Sequence, residues 1–318
     1  MAEPNLGDIV TTTLRNRSRQ IRDNVSKGNV LLNRLAAKGG IREAGSGRTI
    51  VEELDYVENS TFMWYSGYEA LDTTPSKVVD AAEYGWKQCA VAVTGSGLET
   101  RIQNAGDAAV LDLLESRMTN AERTMRNNMV VGLYSDGTGT GGKQITGLAA
   151  AVSTSSGATY GGINSTTFSF WDNKRLTGSV SDTVALDDLF RSLWLSCTRG
   201  PDHPQLIICG AGVFETYWDN LTAIQRITTD QSGGMGFKTL DFAGGLAEVA
   251  FEDSGVLNSS FAYFLNLDYI KFRPHTGTNM VPLDRRESIN QDAFVNLLIW
   301  AGNLTVSNRS LQGVLSAN

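Results

Sequence analysis

The amino-acid sequence predicts a mixed α+β fold, and three observations carry that prediction. The chain has Gly 33 against Pro 6 in 318 residues, with many Ser and Thr, which indicates numerous turns and strands rather than a helical bundle. One segment, 107–133, keeps the three- and four-residue apolar spacing of a long amphipathic helix. Farther along, helical and alternating strand patterns follow one another, which is typical of a sheet covered by helices.

Composition and charge exclude several classes of protein. No run of about 18 apolar residues and no basic-apolar leader occurs, so we expect neither membrane insertion nor secretion. Cys89, Cys197 and Cys209 are widely spaced without a CxxC pair, which argues against a zinc site and a disulfide framework. The net charge of -7 argues against a surface that binds nucleic acid throughout.

The start of the chain carries a cluster of positive charge. Arg15, Arg17, Arg19 and Arg22 lie in a segment with little apolar content. One interpretation is a solvated helix face or a flexible arm. The other is an arm that crosses a neighbouring subunit, or that neutralises DNA phosphates without reading the base sequence. The residues themselves leave both interpretations open.

A short helix and two strands come next, and the strands are joined by an unusual connection. Asn29 is a suitable cap for a helix that stops at Gly39 and Gly40, and residues 48–57 and 84–94 have strand patterns. A connection of about 25 residues is long for a compact domain, and such connections are normally functional. It predicts a two-stranded projection whose apolar side chains are buried on another chain. These side chains are Phe62, Met63, Trp64, Tyr65, Tyr68, Leu71, Pro75 and Val78.

The segment 107–133 is the clearest single element. Asn104 or Asp107 can begin this helix, and the turn residues that start at Ser135 end it. At 1.5 Å per residue it is about 40 Å long, so we expect it to act as a spine for other elements. Its apolar positions are Val110, Leu114, Met118, Ala121, Met125, Met129 and Leu133.

The second half of the chain predicts a sheet flanked by helices. Apolar spacing indicates two helices, one with Leu186, Leu189, Phe190, Leu193, Trp194 and Cys197, the other with Phe214, Tyr217, Trp218 and Leu221. Strand patterns occupy residues 206–209, 246–252, 261–272 and 293–307. The last strand is apolar on both faces, which favours a central position or a strand covered on both sides. Glycines at 233, 234 and 236 indicate a loop.

Residues that carry chemistry in enzymes are sparse or badly placed. His203 and His275 lie in turn-like surroundings with no carboxylate at metal-ligand spacing. Gly137, Gly139 and Gly142 match the spacing G-x-G-x-x-G, but they follow the end of a helix, where the helix dipole repels phosphate. The pattern therefore predicts no dinucleotide site.

Three carboxylates, Glu52, Glu53 and Asp55, share one predicted strand. A metal or acid–base pair is conceivable there, but we interpret them as a solvated strand edge that discourages unwanted pairing. We therefore expect no enzyme activity, and no catalytic, cofactor-binding or metal residues. A projection, a spine helix and a basic arm favour a protein that associates with itself.

The order of elements and several local motifs resemble those of the major capsid proteins of tailed bacteriophages, which have the Hong Kong 97-like fold. The resemblance covers nearly the whole chain, and it is carried by the order of several moderately specific motifs. After the spine helix, the similar residues are Leu133, Tyr134, Ser135, Asp136, Gly137, Thr138, Gly139, then Gln144, Ile145, Thr146, Gly147, Leu148. Near the end they are Phe264 to Tyr269, Gln291 to Phe294, and Gly302 to Arg309.

The resemblance implies a particular division of the chain. Residues 1–44 would be an N-terminal arm and residues 45–104 an extended loop over the adjacent subunit, with its tip near residues 67–78. Residues 105–151 and 291–307, with spine helix 107–133, would form a peripheral domain. Residues 152–290 and 308–318 would form an axial domain, in which helices flank a central sheet.

The resemblance also implies partners and a location. Such proteins self-assemble into the hexamers and pentamers of an icosahedral shell around double-stranded DNA, which they contact without sequence specificity. The shell carries a portal protein at one vertex, and separate scaffolding and decoration proteins can accompany it. The expected location is the virion capsid, assembled in the cytoplasm of the host bacterium, with no membrane partner and no cofactor.

Two alternatives to a phage capsid protein remain. An encapsulin-like nanocompartment shares the fold but encloses protein, and a nucleotide-binding enzyme would use the loop Gly137–Gly142.

Family members that begin with a large scaffolding segment differ from this sequence, so we expect a separate scaffolding protein or none. Some members join subunits through a Lys–Asn bond. Lys77 and Lys87 lie on the projection, but no motif fixes a partner, so we expect no crosslink.

Overall fold

The computed structural model describes residues 29–98, 107–221, 240–283, 286–287 and 291–317. Several predictions lie outside these residues or concern side chains that are not described. They are the basic cluster Arg15, Arg17, Arg19 and Arg22, the loop at 233–236, and the spine positions Val110 and Leu114. Within the described part, no helix is both long enough and apolar enough to cross a membrane.

Five helices are found in the described residues. They are α1 (Val30–Ala37), α2 (Asp107–Tyr134), α3 (Leu148–Ala151), α4 (Thr183–Ser196) and α5 (Ala211–Asn220). The sequence predicted α1, α2, α4 and α5. Asn29 caps α1 as predicted, because its side chain accepts a hydrogen bond from the backbone of Leu32. A turn at Gly139–Gly142 and 3₁₀ turns at Ser169–Trp171 and Leu267–Tyr269 complete the set.

The strands fall into two large sheets and two small hairpins. In chain order they are β1 (Thr49–Asp55), β2 (Val79–Gly85), β3 (Lys87–Ser96), β4 (Thr159–Tyr160), β5 (Ile163–Asn164), β6 (Lys174–Gly178), β7 (Leu206–Cys209), β8 (Leu240–Phe242), β9 (Ala247–Phe251), β10 (Phe261–Leu265), β11 (Ile270–Pro274), β12 (Val281–Pro282), β13 (Arg286–Glu287), β14 (Ala293–Val306) and β15 (Gly313–Ala317). Strands β1 and β2 form one hairpin, and β4 and β5 form the other.

The first large sheet is built around β14. This strand pairs antiparallel with β3 along one edge, from Ala293 opposite Ser96 to Gly302 opposite Lys87. Its other edge pairs with β11, β12 and β13. The central position predicted for this strand is therefore confirmed. Helix α2 lies against β3 and β14 and buries Met125, Met129 and Leu133.

The second large sheet has the order β6-β15-β10-β7-β9-β8. Strand β15 is parallel to β6, and β7 is parallel to β9, whereas the other pairs are antiparallel. Alternate residues of these strands belong to two separate cores, as the pleat of a strand requires. Ile207 and Phe264 pack with Phe190 of α4, while Ile208 and Leu265 belong to the core shared with α1 and α2.

Two strand predictions are wrong in their bounds. The predicted strand 84–94 is two strands, β2 and β3, which separate at Trp86. The predicted strand 261–272 is also two strands, because a 3₁₀ turn at Leu267–Tyr269 interrupts it. Asn266 starts this turn, since its side-chain oxygen accepts a hydrogen bond from the backbone N–H of Asp268.

A buried carboxyl group links α1, α2 and β9. Glu252, which follows β9, accepts hydrogen bonds from Asn29 at 3.1 Å and from the hydroxyl of Tyr134, the last residue of α2, at 2.8 Å. Glu252 is only 3% exposed, and this burial raises the pKa of its carboxyl group. Arg34 of α1 makes an ion pair with Glu248 of β9 and adds a second link.

A fully buried arginine ties the end of α3 and the segment after it to the end of the first sheet. Arg309 is 0% exposed, and its guanidinium donates to the carbonyl oxygens of Ala150, Ala151 and Ala158. Its charged group also lies 5.7 Å from the centre of the Tyr160 ring. Carbonyl groups and a ring face thus take the place of a carboxylate partner, and desolvation lowers the pKa of Arg309.

Candidate functional site: an exposed aromatic hairpin

Strands β1 and β2 form the predicted two-stranded projection. They pair antiparallel from Thr49 opposite Gly85 to Asp55 opposite Val79. Beyond the last pair, the backbone N–H of Tyr56 still donates to the carbonyl of Val78, at 3.2 Å. Residues 57–77 contain no regular strand or helix. The predicted pairing of two strands is confirmed, although the second strand starts five residues earlier in the chain than predicted, at 79 rather than 84.

The connection presents large apolar side chains to solvent. Trp64 is 89% exposed, Phe62 74% and Tyr68 fully exposed, although the rings of Phe62 and Trp64 meet edge to face with centroids 5.5 Å apart. Met63, Tyr65 and Leu71 are also exposed, as is Pro75, while Val78 is half-buried. The connection therefore exposes several large apolar side chains that nothing else in the described structure covers.

Short polar contacts give the connection its local shape. The side chain of Asn59 accepts hydrogen bonds from the backbone and the hydroxyl of Thr61, and Asp72 accepts the same pair from Thr74. These are Asx turns, which replace backbone ladder bonds. The hydrogen bonds from Thr74 lower the pKa of Asp72.

A buried ion pair joins the hairpin to the first sheet. Glu52 of β1 is 6% exposed and accepts hydrogen bonds from Nε of Arg273 at 2.8 Å and from the hydroxyl of Thr305 at 2.9 Å. Nζ of Lys271 lies 3.4 Å from the same carboxylate. The interpretation of Glu52 as a solvated edge residue is therefore wrong, whereas Glu53 and Asp55 are exposed as predicted.

An aromatic contact fixes the other strand of the hairpin. Tyr84 of β2 is 3% exposed, donates to the carbonyl oxygen of Val306 at 2.7 Å and packs edge to face on Tyr160. Burial raises the pKa of Tyr84 well above its usual value. A side chain of each strand is thus buried against the rest of the chain, whereas the connection between the strands is exposed.

The histidines and the glycine-rich turn that the sequence analysis considered for chemistry do not form a catalytic or metal site. His203 packs against Trp194 and His275 against Trp86. Among the described residues, no group of three or more His, Cys, Asp or Glu side chains is placed to hold a metal ion. The turn Gly139–Gly142 follows the C-terminal end of α2, as the sequence predicted, so it lacks the helix N-terminus that binds phosphate.

Comparison with known proteins gives matches only among solved structures. No protein-family model matches the chain, and no curated protein matches it. A capsid of Cyanophage A-1(L) is similar over 95% of this chain and 96% of its own, with a TM-score of 0.67 and 15% identity. The capsid of a native GTA particle covers 95% of this chain and 94% of its own, with a TM-score of 0.63 and 12% identity.

A third solved structure extends the same result. The capsid of Myoviridae phage XM1 matches 95% of this chain and 96% of its own length, with a TM-score of 0.52 and 12% identity. The chain therefore has the fold of a viral shell protein. More particularly, it has the Hong Kong 97-like fold of tailed-phage major capsid proteins over nearly its whole length.

Proposed function

We propose that this chain is the major capsid protein of a tailed bacteriophage and that it has a structural role without enzyme activity. The fold is shared with solved capsid structures over 95% of the chain. The observation that carries the proposal is the exposed aromatic connection between β1 and β2, which needs a second surface to cover it. A second copy of the chain supplies that surface in a shell.

The proposed assembly is an icosahedral shell of hexamers and pentamers. In it, residues 45–104 extend over the adjacent subunit and bury Trp64 and its neighbours there. Residues 105–151 and 291–307 form the peripheral domain, and residues 152–290 and 308–318 form the axial domain at capsomer centres. The arm of residues 1–44 contacts a neighbouring subunit or DNA through Arg15, Arg17, Arg19 and Arg22.

The proposed content of the shell is double-stranded DNA, bound without sequence specificity. A net charge of -7 suits a container wall that does not adhere tightly to phosphate. The further partners are a portal protein at one vertex, a separate scaffolding protein or none, and any decoration or cement proteins that accompany the shell. The proposed location is the virion, after assembly in the cytoplasm of the host bacterium.

Electron microscopy of the purified protein tests the proposal. Closed shells, or hexameric and pentameric capsomers, are the expected result when the chain is expressed alone or with its neighbouring genes. A monomer that stays dispersed under all conditions of salt and concentration contradicts it. Nuclease-protected DNA in particles from infected cells separates a phage capsid from an encapsulin-like compartment, which would contain protein instead.

A further inference from the structure

Helix α4 presents a regular stripe of side chains to solvent. The helix packs on β6, β15 and α5, and it buries Leu186, Phe190 and Leu193 on that side. At 3.6 residues per turn, positions 184, 188, 191 and 195 lie on the opposite side, within about 60° of the helix circumference. The residues of this stripe are Val184, Asp188, Arg191 and Leu195.

All four side chains of the stripe are largely exposed in the single chain. Val184 is 70% exposed and Leu195 is 60% exposed. The side chains of Asp188 and Arg191 are 71% and 60% exposed. The stripe therefore has an apolar residue at each end, and an acidic and a basic residue at its centre. A second helix can approach it without displacing any part of the chain.

The spacing of the stripe is that of a coiled-coil seam. The intervals are four, three and four residues, which are the intervals between the a and d positions of a heptad. Val184 and Arg191 occupy d positions. Asp188 and Leu195 occupy a positions. Two helices with this spacing can pack side by side, and each stripe residue then meets a stripe residue of the other helix.

The stripe is complementary to itself when the second helix runs in the opposite direction. An antiparallel pair places Val184 against Leu195 of the second copy. It also places Asp188 against Arg191 of the second copy, so both charges meet the opposite charge. In a parallel pair, Asp188 would meet Asp188 and Arg191 would meet Arg191, and such contacts between like charges are unfavourable. The order of residues in the stripe thus selects the antiparallel orientation.

The guanidinium of Arg191 already lies at the centre of the stripe. Within one chain it contacts the carboxylate of Asp187, and it lies 3.3 Å from a carboxylate oxygen of Asp188. These ion pairs join exposed residues three and four positions apart, so they contribute little to the stability of the helix. They leave Arg191 beside the place where Asp188 of a second copy would lie.

We propose that two unassembled copies of the chain pair through α4 in an antiparallel arrangement, about a twofold axis between Asp188 and Arg191. The partner is a second copy, because the stripe is complementary to itself. A helix of 14 residues is about 21 Å long and buries less surface than a stable dimer needs, so the pair is transient. A capsomer relates its subunits head to tail, so this twofold contact goes beyond the proposed shell, and shell formation does not depend on it.

Disulfide trapping tests the pairing in the full-length protein. Val184→Cys and Leu195→Cys are prepared as separate proteins and are oxidised alone and as a mixture. In the antiparallel pair the mixture brings the two new cysteines together, whereas two copies of either variant hold theirs about 16 Å apart along the helix. We expect at least about tenfold more disulfide dimer from the mixture, because a disulfide cannot join Cα atoms more than about 7 Å apart.

Two controls measure the dimer that forms without the pairing. Wild type gives the background from the natural cysteines, of which Cys197 and Cys209 are buried and Cys89 is half-buried. A mixture of Val184→Cys with Glu215→Cys, an exposed position on α5, measures chance collisions. It should form no more dimer than the separate variants.

Charge reversal tests whether the two central residues set the contact. Asp188→Arg or Arg191→Asp, introduced into both cysteine variants, places like charges together and should lower the dimer yield of the mixture roughly tenfold. A second mixture combines Asp188→Arg in the Val184→Cys protein with Arg191→Asp in the Leu195→Cys protein. It brings opposite charges together again and should restore the yield, which also shows that both charge variants fold.

Either of two results overturns the proposal. One is that the mixture of Val184→Cys and Leu195→Cys forms no more disulfide dimer than the separate variants. The other is a yield that does not follow the charges, because single reversals leave it unchanged or because the paired reversals fail to restore it. Neither result bears on the proposed shell, which electron microscopy of the wild-type protein tests separately.

Discussion

Arg273 donates a hydrogen bond from Nε to Oε1 of Glu52 over 2.8 Å, although the two residues are 221 positions apart in the chain. The contact joins the first strand of the projecting hairpin to β11 of the first large sheet. It therefore fixes the position of β1 on that sheet, whereas the hydrogen bonds of the connection beyond β1 are formed within the hairpin itself.

Glu52→Gln should destabilise the subunit by about 2–4 kcal/mol, because it removes a buried charge from two largely buried cations. Arg273 and Lys271 would keep their positive charges without an ionised partner. Urea unfolding of unassembled subunits measures the change. Glu53→Gln, one residue away and exposed, is the matched control and should change the free energy of unfolding by less than about 0.5 kcal/mol. Equal effects of the two variants would contradict the role of Glu52.

Trp64→Ala should impair assembly while leaving the unassembled subunit as stable as wild type. Trp64 is 89% exposed, so its removal costs the single chain little, but its loss from a contact between chains should weaken that contact by roughly 2 kcal/mol. Light scattering during assembly and thermal unfolding of subunits measure the two quantities.

Val184→Ala is the control for Trp64→Ala, because Val184 is an apolar residue, 70% exposed, on α4 and outside the hairpin. It should affect neither assembly nor subunit stability. Deletion of residues 67–78 should abolish assembly. Normal shells from that deletion would show that the connection does not make the essential contact.

Glu252→Gln should stabilise the subunit increasingly as the pH rises. Burial raises the pKa of Glu252 above the usual value of 4.5 for a glutamate, so folding favours the protonated form. The protonated carboxyl group of Glu252 therefore stabilises the folded wild type in full below pH 4.5. This stabilisation is lost as the pH rises through the raised pKa. The difference in unfolding free energy between variant and wild type, measured from pH 4 to pH 8, should grow and then level off. A difference that is flat or reversed would refute the assignment.

Arg309→Lys should destabilise the protein by about 2–4 kcal/mol, because a single ammonium group cannot reach the three carbonyl oxygens that the guanidinium serves. Thermal or urea unfolding measures the loss. Arg191→Lys, at an exposed position on α4, provides the control and should lie within about 0.5 kcal/mol of wild type.

Gly147→Ala should be more harmful than its small size suggests. A Cβ atom at this position would lie 2.3 Å from the carbonyl oxygen of Leu133 and 2.5 Å from that of Gly132, so α2 and α3 would have to separate. We expect a loss of about 1–3 kcal/mol. Gly45→Ala, where nothing lies within 4 Å of the added atom, should be nearly neutral in the same unfolding experiment.

The sequence was sufficient for elements that have a strong local pattern. The spacing of Met125, Met129 and Leu133 predicted α2, and the apolar run at the end predicted β14 as a central strand. Strands β6 and β15 were missed as elements, because Lys174–Gly178 has no clear alternation and Gly313–Ala317 is short. Their partner across the sheet, rather than their own pattern, stabilises them.

Contacts between polar residues that are far apart in the sequence could not be predicted. The acidic residues of β1 look alike in the sequence, and only the approach of Arg273 and Lys271 distinguishes Glu52 from Glu53. The bound of a strand was likewise uncertain where a side chain made a local turn, as Asn266 does. The exposed aromatic residues could be predicted because hydrophobic side chains in a segment without core periodicity have no place within their own chain.

The location of β14 and β15 has a consequence for the synthesis of the protein. Both large sheets contain strands from residues 293–317, and β14 is the centre of its sheet. While these residues are still inside the ribosome, β3 and β10 each lack a neighbouring strand, so both sheets are incomplete. Folding is therefore completed only after synthesis has passed this point, so a copy that terminates before residue 293 lacks the strands that both sheets need.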